Sequence, residues 1–497
     1  MPNEILFNIL SYIPEQINVG QTCKKLYEIS CKITKCQLNI ELPDFAETFD
    51  QATFYNSKRR VTSLKIHCKT YHSLEEIYDL LTWVLNRYGD GIEVLELKNV
   101  SFNLKTVCIF NYLPNINKLT MNNVSSKENL IFFRMMLPKL KTIFMKSCSY
   151  VIMLVVNSLP DDVLHEIHLA QNSATINGDH FRNQRNVKIV STTDFNTDAL
   201  LFRNMKLKSL TLSRVNFIED VLTGQDELTF LKLCKSPTQN EINIIARELV
   251  ALQVLVIAEL QNHLDLLVLQ NLKNLRELKF DDRNSVADLR LVIHNTVQVL
   301  HADASIDFFS SNSNFIQEVL SKNCPNLHTI FFTSNMPTTL INKILLGYPN
   351  LKRLTVKPDN PYEAEIDTLH DLQHFDHLHL KELNIGNIKN TYKQLGKIVS
   401  CTALEMVKID KNLVPGSLKV FLRNQPSVKF LHIKVVKVSE EFIVNLKSNF
   451  KEIVELKLQS GIRNYEYFAN LKQELKEKFP NSKLMKIDTK NLLLILK

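Results

Sequence analysis

The sequence predicts an α/β solenoid, a chain coiled into similar units that each contribute one strand and one return segment. The first observation is a phrase of the form apolar-x-x-apolar-x-apolar, which recurs about every 24 residues along the 497-residue chain. Clear copies are LKTIFM at 140–145, LKSLTL at 207–212, LKRLTV at 351–356, LKELNI at 380–385 and VKFLHI at 428–433. The second observation is the helical spacing of apolar residues between copies, as in 71–88 and 240–250. These two periods together predict strands that alternate with helices.

The length of the repeat identifies its class. One strand and one return in roughly 20–29 residues are typical of leucine-rich repeats. Alignment of the phrase gives about eighteen copies, whose first apolar positions are Val61, Ile92, Ile116, Leu140, Leu164, Val187, Leu207, Leu228, Leu252, Leu275, Val297, Leu327, Leu351, Leu380, Leu404, Val428, Ile453 and Leu484. Because the returns are long enough for helices, we expect a ribonuclease-inhibitor-like leucine-rich-repeat horseshoe with its strands on the concave side.

The phrase also predicts which side chains are buried. Successive side chains of a strand point to opposite faces, so Leu210 and Leu212 are predicted to lie inside. Ser209 and Thr211, beside them, are predicted to lie on the open face of the sheet. Eight residues after the first position, a Cys or Asn is predicted to be buried and to hydrogen-bond loop backbone: Cys148, Asn172, Asn335 and Asn412.

The open face of the strands is where we expect a partner to be contacted. Exposed aromatic and Arg side chains supply most interface hot spots. The predicted substrate-binding residues are Phe144, Lys146, His168, Phe331, Arg353, Phe430 and His432. A polar loop with two prolines, KPDNPYEAEIDTL at 357–369, is a second candidate for recognition, because function concentrates on such loops.

Residues 1–35 have a different pattern from the repeats. Pro2 suits the first turn of a helix, since its missing N–H costs nothing there. Apolar residues then follow at helical spacing: Ile5, Leu6, Ile9, Leu10 and Ile13. Pro14 ends that helix, and a second one is predicted at about 18–31. Helices this short cannot bury their apolar stripes alone, so we expect them to dock on the solenoid or on a partner.

MPNEILFNILSYIP followed by QTCKKLYEIS resembles the F-box, a small all-helical module that binds the Skp adaptor of cullin–RING ubiquitin ligases. The resemblance implies an F-box and leucine-rich-repeat protein, a substrate-recognition subunit of a Skp–cullin–F-box (SCF) ubiquitin ligase. It implies that the target protein is held on the concave face or rim loops of the repeats. The adaptor-binding residues it implies are Pro2, Ile5, Leu6, Ile9, Leu10 and Ile13.

The module also departs from the F-box pattern. The stretch from Ile13 to Cys23 is about two residues shorter than usual, and Gln16 and Ile17 stand where the family commonly has Asp-Leu. An alternative is therefore a stand-alone leucine-rich-repeat binding or scaffold protein, with a helical N-terminal cap. The predicted domains are an F-box-like module at 1–35, a linker and cap at 36–60, and repeats at 61–497.

Composition and charge narrow the functional classes. The net charge of +8 is modest for this length, and no nucleic-acid-binding motif accompanies it. The nine cysteines include no Cys-x-x-Cys pair, which indicates a reducing compartment. The N-terminus lacks the pattern of a secretion signal, and the apolar run at 150–159 is too short to span a bilayer. We expect a soluble protein of the cytoplasm or the nucleus that binds neither nucleic acid nor membrane.

No motif in the sequence indicates catalysis. Phosphate-binding glycine loops, nucleophile elbows and metalloprotease helices are absent, so we expect neither an enzyme nor a cofactor. His370, His374 and His377 have the spacing of one helical face and could together bind zinc or copper. The simpler interpretation, which we prefer, places Leu369, Leu372, Phe375 and Leu378 in the core and the histidines in solvent.

Overall fold

The computed structural model describes residues 35–42, 60–126, 137–148, 151, 155, 159–172, 181, 183–192, 202, 205–213, 218–258, 264, 267–280, 296–302, 326–332, 344–356, 377–385, 401–412, 425, 427–435, 455–460, 473, 477, 483–486 and 491–495. The chain forms two compact units, Met1–Phe230 and Leu231–Lys497. Residues 1–34 of the predicted module at 1–35, and the whole loop at 357–369, lie outside the described residues, whereas Lys35 begins the first strand. Their structures therefore stay predictions.

The first unit contains one parallel strand for almost every copy of the phrase. Its strands are β1 (Lys35–Leu42), β2 (Arg60–Ser73), β3 (Val94–Phe102), β4 (Lys118–Asn122), β5 (Ser125–Ser126), β6 (Thr142–Lys146), β7 (Glu166–Ala170), β8 (Ile189–Thr192) and β9 (Ser209–Leu212). Parallel pairs join β1 to β2, β2 to β3, β3 to β4, β4 to β6, and each later strand to the next. The short strand β5 pairs with the end of β3. One parallel strand in each repeat is the arrangement of a leucine-rich-repeat solenoid.

The second unit continues the same pattern. Its strands are β10 (Phe230–Leu233), which begins at the unit boundary, β11 (Val254–Ile257), β12 (Glu277–Phe280), β13 (Val299–Ala302), β14 (Thr329–Phe332), β15 (Arg353–Val356), β16 (Glu382–Ile385), β17 (Met406–Asn412), β18 (Phe430–Val435), β19 (Glu455–Ser460), β20 (Lys483–Lys486) and β21 (Asn491–Ile495). From β11 to β19 each strand pairs in parallel with the next one.

The C-terminal end differs from the prediction. We predicted a further repeat at Leu484, but β20 forms an antiparallel hairpin with β21, and β21 pairs antiparallel with β19. Only 487–490 separates the two strands of the hairpin. A parallel crossover needs a dozen residues or more, so a connection this short favours the antiparallel arrangement. The parallel ladder of the second unit therefore ends at β19.

In the described part of the chain, the returns contain both α-helices and 3-10 helices. They include the α-helices α1 (Tyr78–Tyr88), α2 (Ile218–Leu222) and α3 (Gln239–Glu248), and the 3-10 helices Leu74–Ile77, Gly89–Gly91, Thr106–Tyr112 and Leu267–Asn271. A capping box begins α3: the Thr238 hydroxyl accepts from the Glu241 N–H, and the Glu241 carboxylate accepts from the Thr238 N–H. Within the described part of the chain, no helix is long and apolar enough to cross a membrane.

The predicted strand register is confirmed. Leu210 is completely buried and Leu212 nearly so, whereas Ser209 and Thr211 are half-buried on the other face. At the N-terminal edge, β1 covers the start of the predicted linker and cap at 36–60, with Ile40 buried and Leu38 half-buried. Each fully buried Leu or Ile contributes about 1.5–3 kcal/mol relative to exposure. The stacked aliphatic residues of successive strands therefore form the core.

A second periodic position lies three residues before each first apolar residue, and we call it the pre-strand turn. Where it is described it is almost always buried, and the occupants include Leu113, Leu137, Gln184, Gln225, Leu249, Leu272, Tyr348, His377, Cys401 and Gln425. Its carbonyl commonly accepts the N–H of the first apolar residue, as Leu137 does from Leu140 at 3.2 Å. This bond turns the chain from the return into the strand.

Glutamine at the pre-strand turn bonds backbone of the preceding repeat. The Gln184 side chain accepts from the Leu164 N–H at 3.1 Å and donates to the Pro160 carbonyl at 2.8 Å. Gln225 likewise accepts from the Leu207 N–H at 3.0 Å. These two side chains satisfy buried backbone groups that would otherwise lose hydrogen-bond energy.

His377 occupies the same position, which corrects our expectation of a solvated histidine. Its side chain is 1% exposed, whereas the neighbouring Leu378, predicted to be in the core, is 62% exposed. Nε2 donates to the Tyr348 carbonyl at 2.9 Å, and Nδ1 accepts from the Leu380 N–H at 3.0 Å. The prediction was wrong here because it assumed that a helix continued to 378, whereas the chain has already entered the pre-strand turn. His370 and His374 lie outside the described residues.

The turns that follow the strands are also periodic. Asn99, Asn123, Ser147 and Gln171 all have φ between 53° and 56°, in the left-handed region. Just beyond them, the Asn172 side chain accepts from the Cys148 N–H at 2.8 Å and donates to the Met145 carbonyl at 3.2 Å. The predicted structural role of Cys148 and Asn172 is therefore confirmed. Asn335 and the side chain of Asn412 are outside the described part.

Candidate functional site

The outward side chains of β2 to β7 form a surface that we call the first open face. Parallel register places them in rows across the strands. The central row is Lys65, Glu96, Thr120, Phe144 and His168, and the outer row is His67, Lys98, Asn122, Lys146 and Ala170. Every member of both rows is half-buried or exposed. Because neighbouring strands are about 4.8 Å apart, side chains in one row are close enough to contact each other, as Phe144 and His168 do.

The centre of the first open face is a stacked aromatic pair. The rings of Phe144 and His168 lie parallel, with centroids 4.0 Å apart and an interplanar angle of 1°. The Lys118 ammonium lies over the Phe144 ring, 4.7 Å from its centroid. Such ring contacts add about 0.5–1.5 kcal/mol beyond the area that they bury. The pair is therefore a rigid, half-buried platform on an otherwise polar surface.

His168 is kept neutral at physiological pH. Burial of the imidazole lowers its pKa below the ordinary value, and the positive charge of Lys118 lowers it further. The carboxylate of Glu166, 3.7 Å from Nε2, raises the pKa but does not outweigh burial. The neutral ring has less charge to desolvate, so a partner can cover it at lower cost.

The negative charge of Glu96 is balanced by neighbouring side chains of the same face. Its carboxylate accepts from Lys65 at 2.7 Å and from His67 at 3.0 Å. Burial favours the protonated acid, but hydrogen bonds and the charges of Lys65 and His67 outweigh it and lower the pKa of Glu96. Glu96 is therefore ionised and paired at neutral pH.

Lys98 and Lys146 differ from Lys65, which is paired with Glu96, and from Lys118, which lies over the Phe144 ring. Both are exposed members of the outer row, on either side of Asn122. Neither has an ion-pair partner among the residues that the structure describes. The outer row therefore carries positive charge that the face itself does not compensate.

The second unit has a comparable surface, the second open face, formed by the outward side chains of β12 to β18. His301 and Phe331 stack with centroids 4.2 Å apart, and the His301 Nε2 lies 3.0 Å from Glu277 Oε1. On adjacent strands, Arg353 pairs with Glu382 at 3.2 Å. The charged groups of the second open face are therefore largely paired with each other, whereas the first open face has lysines without an ion-pair partner.

The predicted substrate-binding residues fall on these two faces. Phe144, Lys146 and His168 lie together on β6 and β7 of the first unit. Phe331 stacks on His301, and Arg353 lies on the next strand. Phe430 and His432 lie on β18, in register with Met406 and Lys408. Their role in binding stays a prediction.

Sequence reasoning missed several residues that take part in these clusters, among them Glu96, Lys98 and His301. A signal was present, since each occupies the fifth or seventh position of its copy of the phrase, as Phe144 and Lys146 do. Their pairings depend on which strands are neighbours, and a single copy of the phrase does not contain that information.

The structure offers no alternative site with metal or nucleophile chemistry in its described part. No group of three or more His, Cys, Asp or Glu side chains there could hold a metal ion. Burial raises the pKa of the Cys148 thiol to about 11, so it remains protonated and unreactive at neutral pH.

No protein-family model and no curated protein sequence matches this chain. Among solved structures, an internalin from Listeria monocytogenes aligns with 69% of this chain and 81% of its own chain, at 12% identity and a TM-score of 0.29. A likeness at that level carries no argument about fold or function. The chain's own parallel strands and stacked aliphatic core fit a leucine-rich-repeat solenoid.

Proposed function

We propose that this chain is a protein-binding adaptor that holds a partner protein on its first open face. The stacked pair of Phe144 and His168 supports the proposal most directly. Interface hot spots are enriched in aromatic groups, and this stacked pair is held on a polar surface between Lys118 and Glu166.

The more specific form of the proposal is a substrate-recognition subunit of an SCF ubiquitin ligase. It is supported by the F-box-like sequence at 1–35, in which Pro2, Ile5, Leu6, Ile9, Leu10 and Ile13 would contact the Skp-family adaptor. The subunit performs no chemistry. It raises the effective concentration of its target near the ubiquitin-carrying enzyme by holding both in one assembly.

Adaptor binding can be tested apart from target binding. Replacement of Leu6 and Ile9 by Asp should abolish co-purification of a Skp-family adaptor, because it places charges on the docking stripe. The far-ultraviolet circular dichroism of the solenoid should be unchanged. Undiminished adaptor binding by this double variant contradicts the SCF assignment.

Target binding is tested with Phe144→Ala. Affinity purification and mass spectrometry should show loss of the target but not of the adaptor. The control is Thr211→Ala, a half-buried residue on β9 outside the stacked pair. If both variants retain the same proteins, the first open face is not the binding surface.

The second candidate is a stand-alone binding or scaffold protein. The shortened stretch between Ile13 and Cys23 favours it, because that spacing departs from the F-box pattern. In that case residues 1–35 cap the repeats, and their deletion should lower the thermal midpoint of the first unit. No Skp-family adaptor should then co-purify with the full chain.

A further inference from the structure

We propose that the first open face binds an acidic segment of its partner, with two carboxylates about three residues apart beside an apolar side chain. This inference rests on the proposed function and specifies the chemistry of the partner. Its basis is the distribution of charge around the stacked pair of Phe144 and His168.

The first open face carries a net positive charge, which negatively charged groups of the partner would compensate. Its outward residues include the four lysines Lys65, Lys98, Lys118 and Lys146 and the two glutamates Glu96 and Glu166, and these six residues together carry a net charge of +2. Glu96 is paired with Lys65, and Glu166 lies beside His168 and Thr142. The two glutamates therefore leave the outer-row lysines uncompensated.

The spacing of the exposed lysines sets the spacing of the expected carboxylates. Lys98 and Lys146 lie on β3 and β6, which are both paired with β4 and so are two strand spacings apart, roughly 10 Å. A polyproline II segment has three residues per turn and rises roughly 3.1 Å per residue, so carboxylates three residues apart lie on the same side of it and roughly 9 Å from each other, close to the distance between the two strands. Phe144 lies two residues before Lys146 on β6, so an apolar side chain beside the carboxylate that contacts Lys146 would lie near the Phe144 ring.

The alternation of charge on this face favours a protein segment over a nucleic acid. Proteins that bind nucleic acids neutralise a continuous row of phosphates with several lysines or arginines. Here Glu96 and Glu166 are interleaved with the lysines, and a continuous polyanion would have to pass over both carboxylates. Separated carboxylates avoid that repulsion.

The test uses the full chain and a displayed library of random dodecapeptides as the probe. Peptides selected on the natural protein should be enriched in Asp and Glu over the unselected library, with acidic pairs three residues apart. Selection on the Lys98→Glu/Lys146→Glu variant should lose that enrichment. The same substitutions should weaken binding of a selected acidic peptide at least about tenfold, since two favourable charge contacts become repulsive.

The matched control is Lys139→Glu/Lys141→Glu, which changes the net charge equally on exposed lysines outside the two rows. This control should retain both the enrichment and the affinity. Equal loss of binding in the two double variants shows a long-range charge effect and overturns the inference.

Three further outcomes test this inference, and the first two separate it from the proposed function. If the selected peptides are not acidic but Phe144→Ala still abolishes their binding, the partner class is wrong and the binding surface stands. If Phe144→Ala has no effect on any selected peptide, the first open face is not a binding surface and both proposals fail. Binding of a single-stranded RNA oligonucleotide that is lost in Lys98→Glu/Lys146→Glu assigns the face to nucleic acid instead.

Discussion

At the scale of single residues, alternation along each strand separates the core from the open face. Leu210 is fully buried, whereas Ser209, one residue before it, points to the other side. The same alternation places Phe144 and Lys146 outside and Ile143 and Met145 inside. Outward positions of a strand therefore tolerate a charged side chain, whereas the inward positions next to them do not.

Leu210→Asp should lower the free energy of unfolding by about 3–5 kcal/mol, because it removes apolar packing and buries an unpaired charge. Ser209→Asp should change it by less than about 0.5 kcal/mol, as surface substitutions usually do. Denaturant titrations followed by circular dichroism compare the two variants directly. Equal losses for both would mean that the strand is shifted by one residue.

His377 links the stability of its repeat to pH. Burial lowers the pKa of the imidazole below its ordinary value of 6.5, and the bond to the Tyr348 carbonyl raises it by less. The folded state therefore binds this proton less readily than the unfolded state does. Stability from this residue is present above pH 6.5 and is lost as the pH falls towards the lowered pKa.

His377→Gln should keep the stability of the repeat at neutral pH, because Gln already serves the same turn position at 184, 225 and 425. The same substitution should also reduce the loss of stability of this repeat at low pH, because Gln has no group that titrates. His377→Ala should cost about 1–3 kcal/mol, since the backbone groups of Tyr348 and Leu380 lose their partner. Amide hydrogen exchange of β16, measured from pH 5 to 8, distinguishes these outcomes. Identical pH profiles for the natural protein and the Gln variant would exclude His377 as the titrating group.

At the scale of the elements, two glycines are required for different physical reasons. Gly89 has ordinary helical backbone angles, but a Cβ atom there would clash with the Tyr112 carbonyl oxygen. Gly224 has open space around it but a φ of +77°. The first glycine allows the end of α1 to approach the 3-10 helix at Thr106–Tyr112, and the second allows a left-handed turn after α2.

Asparagine substitutions should separate the two reasons. Gly89→Asn should lower the unfolding free energy by at least about 1–3 kcal/mol, because the backbone at Tyr112 has to move to admit the side chain. Gly224→Asn should change it by less than about 0.5 kcal/mol, because Asn tolerates the left-handed region. Thermal unfolding of both variants measures the difference. A larger loss at 224 than at 89 would contradict the proposed packing of α1.

At the scale of the whole molecule, the parts of the fold that depend on local pattern could be predicted from the sequence. The strands, their register and the inward direction of Leu210 follow from spacing within one repeat. Phe144 can stack on His168 because β6 and β7 are neighbours and the two residues are in register. The regular spacing of the repeat determines that register. The buried His377 could not be predicted, because its partner, Tyr348, lies in another repeat. The C-terminal hairpin was missed because LMKI, at 484–487, fits the repeat phrase locally, whereas pairing direction depends on distant strands.

That hairpin protects the last strand of the parallel ladder. β21 pairs with β19 from Glu455↔Ile495 to Gln459↔Asn491, so it occupies the edge to which a further repeat would otherwise add. Solenoids need such terminal caps, because an exposed strand edge is a template for association with another chain.

Truncation after Pro480 removes both strands of the hairpin and should therefore cause self-association. We expect the apparent mass from light scattering to rise with protein concentration, while the natural chain keeps a constant mass over the same range. A chain that ends at Ile495 keeps all of β21 and is the matched control, because only the last two residues are lost. A truncated chain that stays at the mass of the control at every concentration would show that β19 is protected by other means. Substitution Leu493→Pro should reproduce part of the effect, since proline removes a backbone donor in the middle of the strand that joins β19 to β20.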